Sequence, residues 1–159
     1  MNFIKRTSDF VSGVLTVVAA ISLVVLCVLV LYGVVMRYVF DDAPDFVEPI
    51  ALLLVIAIAF FGAALKVREG GHIGLDSLVT RLPPRARVLA LAFQHLCLIA
   101  FAIAVLSGSE EMAATTADDP IPIIALPEAV RYYIPMVASV CIVLFSLEHL
   151  IDMFARKRT

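Results

Sequence analysis

Four stretches of this chain run long enough without a charge to cross a lipid bilayer, and no other feature constrains the fold as strongly. Phe10 to Met36 is 27 residues without a charged side chain, Pro49 to Leu65 is 17, Val88 to Ser109 is 22 and Tyr132 to Leu147 is 16. A helix needs about 20 apolar residues to span about 30 Å of hydrocarbon. The last run lengthens through its apolar flanks, Ala129 and Val130 before it and Leu150 to Phe154 after it. The expected architecture is all-α: an integral membrane protein with one transmembrane domain over residues 1–159 and spans at about 10–36, 47–66, 88–109 and 130–154.

Composition supports that solvent. Of the 159 residues, 62% are hydrophobic and 16% charged, against about 45–50% and about 25% in soluble domains. So few polar residues cannot coat a water-soluble domain of this size. The net charge of −2 gives no basic field for nucleic acid. The first run follows Lys5 and Arg6 as a signal peptide would, but a signal h-region spans only about 7–15 residues. This run reads as a retained anchor.

Orientation follows from the basic residues. Lys5 and Arg6, the loop from Lys66 to Arg87, and the tail Arg156-Lys157-Arg158 put ten on one side; Arg37 and Arg131 are the two on the other. That bias predicts a bacterial inner-membrane, multi-pass protein with both termini cytoplasmic. Nine carboxylates, among them Asp41, Asp45, Glu48 and Asp119, make the opposite side acidic.

Within the loop from Lys66 to Arg87, Leu75, Leu78, Val79 and Leu82 fall at i, i+3, i+4 and i+7, with Asp76, Ser77, Thr80 and Arg81 opposite. This spacing predicts a short amphipathic helix over about 73–82 on the membrane surface, entered by a Gly70-Gly71 turn and stopped by Pro83-Pro84. The loop from Glu110 to Tyr133 is different. It and the start of the fourth span are punctuated by Pro120, Pro122, Pro127 and Pro135, which predicts an extended, rigid re-entry.

Candidate functional residues are few, and most are structural or interface candidates. Arg37 ends the first span and is placed to snorkel. Glu48 opens the second, where a carboxylate suits a helix N-terminus and could pair with Arg37. His72 begins the surface helix. Gln94 and His95 form a polar pair inside the third span, which favours hydrogen bonding to a neighbouring helix. Ala100, Ala104 and Gly108 repeat every four residues, and Ala51, Ala59 and Ala63 share a face of the second span; small residues at such spacing permit close helix approach. Cys27, Cys97 and Cys141 are scattered in apolar runs, with no metal or redox spacing.

No span carries a central carboxylate, no pair of Gly/Pro-broken half-helices marks an ion site, and no hydrolase, metalloprotease or P-loop motif occurs. Neither enzymatic activity nor a resident cofactor is expected of this chain.

Several pieces occur in a suggestive order. Met36-Arg37-Tyr38-Val39-Phe40 closes the first span and Glu48 opens the second. Phe61-Gly62-Ala63-Ala64 leads to Lys66-Val67-Arg68. Gly71-His72-Ile73-Gly74-Leu75-Asp76 precedes Leu82-Pro83, and Pro122, Leu126-Pro127 and Tyr133-Ile134-Pro135 lead into the last span. In order and spacing this resembles the small membrane subunit, DctQ type, of tripartite ATP-independent periplasmic (TRAP) transporters, over nearly the whole chain. The family often has Trp two residues before the acid of the second span; here Phe46 stands there, and the chain has no Trp.

The resemblance implies three partners: a large TRAP permease subunit that holds the sodium and substrate sites, a periplasmic substrate-binding protein that delivers an organic acid, and the lipid bilayer. The small subunit would brace the scaffold. Two other readings are open from the residues alone. A haem or quinone redox protein would want paired histidines in facing spans, where only His95 lies deep and His149 sits near a helix end. A small self-sufficient exporter would want a central carboxylate.

Overall fold

The computed structural model describes residues 2–42, 44–70, 83–121 and 126–156. Four helices account for nearly all of them: α1 Asn2–Val39, α2 Val47–Arg68, α3 Pro84–Thr115 and α4 Val130–Arg156. All four are long and apolar enough to cross a membrane. In hydrocarbon a backbone must satisfy its own hydrogen bonds, and a helix does so within one segment. The surface helix expected over 73–82 lies outside the described residues, as do His72 and Asp76.

The helices outrun the charge-free stretches. α1 has 38 residues and α3 has 32, or roughly 57 and 48 Å at 1.5 Å per residue, well beyond the bilayer core. α3 continues through Glu110 and Glu111 to Thr115, so residues expected in the loop form its last turns. Leaving the apolar run does not end a helix, because Glu, Met and Ala are good helix formers.

Helix ends are set by local backbone chemistry. α1 stops at Asp41, which takes a left-handed φ of 54°, a conformation Asp tolerates better than most residues; the Asp42 N–H then donates to the Met36 carbonyl at 3.2 Å. Gly70, at φ 69°, ends α2 the same way. Extended Pro83 (φ −62°, ψ 152°) precedes α3, whose first residue is Pro84, where the missing N–H has no helical partner to lose.

The segment between α3 and α4 is not a single extended strand. It folds back on itself: the Ile121 N–H donates to the Leu126 carbonyl at 2.7 Å and the Glu128 N–H to Asp119 at 2.8 Å, pairing Pro120 against Pro127. Pro tolerates this because neighbours on either side supply the donors. Ile121 is thereby buried. Pro135 falls inside α4, in its second turn.

The helices stand in a row rather than a closed bundle. α1 packs on α2, α2 on α4 and α4 on α3; α1 touches α4 lightly, and among the described residues α3 meets neither α1 nor α2. Burial matches this order. Central α4 buries two sides, through Ala138, Ser139, Ile142, Phe145 and Ser146. α3 buries one seam, His95, Ala102 and Ser109, a seven-residue repeat suited to left-handed helix packing. α2 buries Ala57, Phe61, Ala64 and Val67.

At the acidic end, α1 and the start of α2 approach closely at Gly33. A Cβ built there would meet Val47 Cγ1 at 2.9 Å. Gly33→Leu is therefore expected to overpack the hairpin and cost about 1–3 kcal/mol. Thermal unfolding in detergent should show a lower midpoint for this variant, partly restored by adding Val47→Ala; an unchanged midpoint would mean that the contact does not hold α1.

Candidate functional site

The chain places its polar side chains in two groups at opposite ends of the row. The first lies at the end shared by the N-terminus, the end of α2, the start of α3 and the end of α4. Its centre is Arg68, in the last turn of α2. The guanidinium donates to Ser8 and Asp9 of α1 and, at 3.3 Å, to Glu148 of α4. Its Cζ lies 5.3 Å from the ring centroid of buried Phe145, within cation–π range. Arginine suits the position: five donors in a rigid fork serve three acceptors on two helices.

Next to it, His149 Nε2 lies 2.9 Å from the Arg68 carbonyl oxygen, an orphan acceptor at a helix C-terminus. The His149 ring stacks on His95 of α3, with centroids 5.1 Å apart and planes within 16°. The chain of contacts Asp9–Arg68–His149–His95 therefore runs through all four helices. A haem bound between two axial histidines needs their ring nitrogens aimed at one iron. Here the rings present their faces to each other, which is packing geometry. Among the described residues no group of three or more His, Cys, Asp or Glu side chains could hold a metal ion.

The second group lies at the acidic end, around a cleft of about 750 Å³ between α1, α2 and the start of α4. Arg37 and Glu48 both line it, but no ion pair joins them among the described residues. Arg131 lines it too and pairs instead with Glu128, three residues back, at 2.8 Å.

The remaining sequence candidates fall as follows. Gln94 is half-buried beside His95. Ala100, Ala104 and Gly108 are exposed on the side of α3 facing away from α4, and Ala59 and Ala63 are exposed on α2. Leu98 packs against the core, so truncating it would loosen this chain itself. The small residues that seat helices within the chain are others, Ala57, Ala64, Ala102 and Ala138.

Sequence reasoning counted Arg68 as a topological charge and as part of the Lys66-Val67-Arg68 motif, without a partner, and passed over Ser8, Asp9 and Glu148. A signal was present. Asp9 immediately precedes one charge-free run, Glu148 immediately follows another, and Arg68 lies just beyond Lys66 at the end of a third, all at the same end of the fold.

Arg68 and Glu148 side chains are 20% and 15% exposed, whereas Asp9 is 71% exposed. Arg68→Ala should destabilise most and Asp9→Asn least. The Arg68 effect should fall between the roughly 0–1 kcal/mol of surface pairs and the about 3–5 kcal/mol of breaking a fully buried pair. Thermal midpoints of the three single variants, with Glu148→Gln between the others, test the ranking; a loss at Asp9 equal to that at Arg68 would contradict it.

Comparison with known proteins agrees with the resemblance drawn above. A chain from Haemophilus influenzae described as a TRAP transporter small permease protein is 24% identical over 148 residues, covering 93% of this chain and 92% of its own length. A Vibrio cholerae chain described as a C4-dicarboxylate TRAP transporter small permease protein is 27% identical over 108 residues, 68% of this chain and 47% of the relative. The profile of the family described as tripartite ATP-independent periplasmic transporters, DctQ component, matches residues 26–156, which span α2, α3, α4, the last part of the first charge-free run and both polar groups except Ser8 and Asp9. This four-span membrane chain belongs to that family.

Proposed function

We propose that this chain is the small membrane subunit of a sodium-driven, binding-protein-dependent transporter for organic acids. It sits in the bacterial inner membrane with both termini cytoplasmic, braces the scaffold of a large permease subunit, and carries neither substrate nor cofactor itself. Sodium and substrate belong to the large subunit, and a periplasmic binding protein delivers the substrate. The dicarboxylate in the name of the Vibrio relative supports the organic-acid class.

The observation that carries this reading is the single-layer arrangement. A carrier must enclose a path lined by polar groups, and intramembrane charges mark such paths. The core of this row is mostly small and apolar side chains, and the charges of the described residues gather at its two ends. What it does offer is two broad apolar faces for lipid and for another membrane subunit.

Two measurements test the proposal. Reporter fusions at Thr159 and Asp119 should read inside and outside, respectively; an outside reading at Thr159 reverses the topology. Sodium-driven uptake in proteoliposomes, with the binding protein present, should require the large and small subunits together. Uptake by the small subunit alone, or full uptake without it, would assign this chain a different role.

A further inference from the structure

The cleft at the acidic end is amphipathic in a specific way. Its apolar wall is Val30 and Val34 of α1 with Leu52 of α2, and these are 45%, 47% and 47% exposed, so the wall opens outward from the row. Its rim carries both signs of charge: Arg37 and Arg131 on one hand, Asp45 and Glu48 on the other. Arg37 and Glu48 line one cleft without bonding to each other, and the buried Nε of Arg131 has no hydrogen-bond partner. Buried donors of this kind are normally satisfied, and an exception points to a missing acceptor.

We propose that this cleft is a binding site for one zwitterionic phospholipid. The lipid phosphate accepts from the guanidinium groups of Arg37 and Arg131, the ammonium lies against Glu48 and Asp45, and one acyl chain follows Val30, Val34 and Leu52. The geometry selects this class over others. A soluble anion would make no use of the apolar wall. A purely anionic lipid would leave Asp45 and Glu48 facing unneutralised phosphate, and Glu128 already offsets part of the Arg131 charge. The cleft's level fits as well, since its charges sit at the span ends, where headgroups lie, and its apolar wall begins one turn below. The site is built by this chain alone and stands apart from the scaffold role proposed above.

The test is native mass spectrometry of the full chain, extracted gently from the membrane alone and with the large subunit, followed by competition between equal amounts of phosphatidylethanolamine and phosphatidylglycerol. One phosphatidylethanolamine should stay bound in both preparations and be retained about tenfold over phosphatidylglycerol, the discrimination expected of one charge-assisted hydrogen bond. Arg37→Gln and Glu48→Gln should each remove most of that preference, as should Val34→Trp by filling the wall, while Phe93→Ala on distant α3 should leave it intact. Circular dichroism and gel filtration check that each variant folds, and the competition on the unmodified chain does not depend on them. Equal retention of the two lipids would reduce the cleft to ordinary bilayer contact and overturn the site. So would an undiminished preference in both charge variants, or loss of the lipid once the large subunit is bound, which would make the cleft a protein contact.

Discussion

Lipid removes the force that folds most proteins. Between two apolar helices in a bilayer there is little hydrophobic gain, because acyl chains are as apolar as Leu. What remains is close van der Waals contact and a few polar bonds of modest strength. The row of helices reflects this. Central α4 meets its neighbours through Ala138, Ser139 and Ser146, and α2 and α3 answer with Ala57, Ala64 and Ala102. Large side chains at these positions would hold the axes apart and forfeit the short-range attraction that alone can replace the missing hydrophobic term. Larger side chains, Phe61, Ile142 and Phe145, fill the space between these close approaches, and the Phe145 ring doubles as the floor of a charge site.

The two ends of the row handle charge in opposite ways. At the basic end, Arg68 reaches partners 59 to 80 residues away in sequence, so desolvating one guanidinium is offset by bonds that also fix α1, α2 and α4 in register. At the acidic end the pairing is local: Glu128 holds Arg131 within one turn, and Arg37 and Glu48 remain apart. Long-range pairing makes the first end a closed joint, whereas local pairing leaves a cleft with a polarised rim at the second. An effect carried by distant partners stabilises the tertiary arrangement; one carried by i,i+3 neighbours stabilises only a helix end.

The spans were legible in the sequence because charges are so costly in hydrocarbon that their absence is a direct measurement of depth. The packing order was not. Ala100, Ala104 and Gly108 have the spacing that permits helix contact, yet the contact within this chain is made by the seam His95, Ala102 and Ser109 on the opposite side of α3. Spacing fixes that a face exists, but in a helix that is apolar all round no polar stripe says which face turns inward. The Arg68 joint was hidden for another reason. Its members are four unremarkable residues at the ends of different runs, and only the topology brings those ends together. His149, discounted for lying near a helix end, is stacked on His95 because the packing of α3 on α4 brings the twelfth residue of α3 level with the last turns of α4.

An open row of helices also bears on how this chain sits in lipid. Helices that satisfy their own backbone are stable in lipid before they meet anything. Among the described residues every charged side chain lies toward a helix end, so the apolar faces of the row carry no charge into hydrocarbon. The same faces, edged by small residues at Ala100, Ala104 and Gly108, accept close approach by a further helix at little cost in desolvation. A bundle closed around a polar interior would have no such face to give: its small residues and polar groups would already be turned toward one another. Openness, which would weaken a soluble domain, is tolerated in a bilayer because lipid covers apolar faces at little cost.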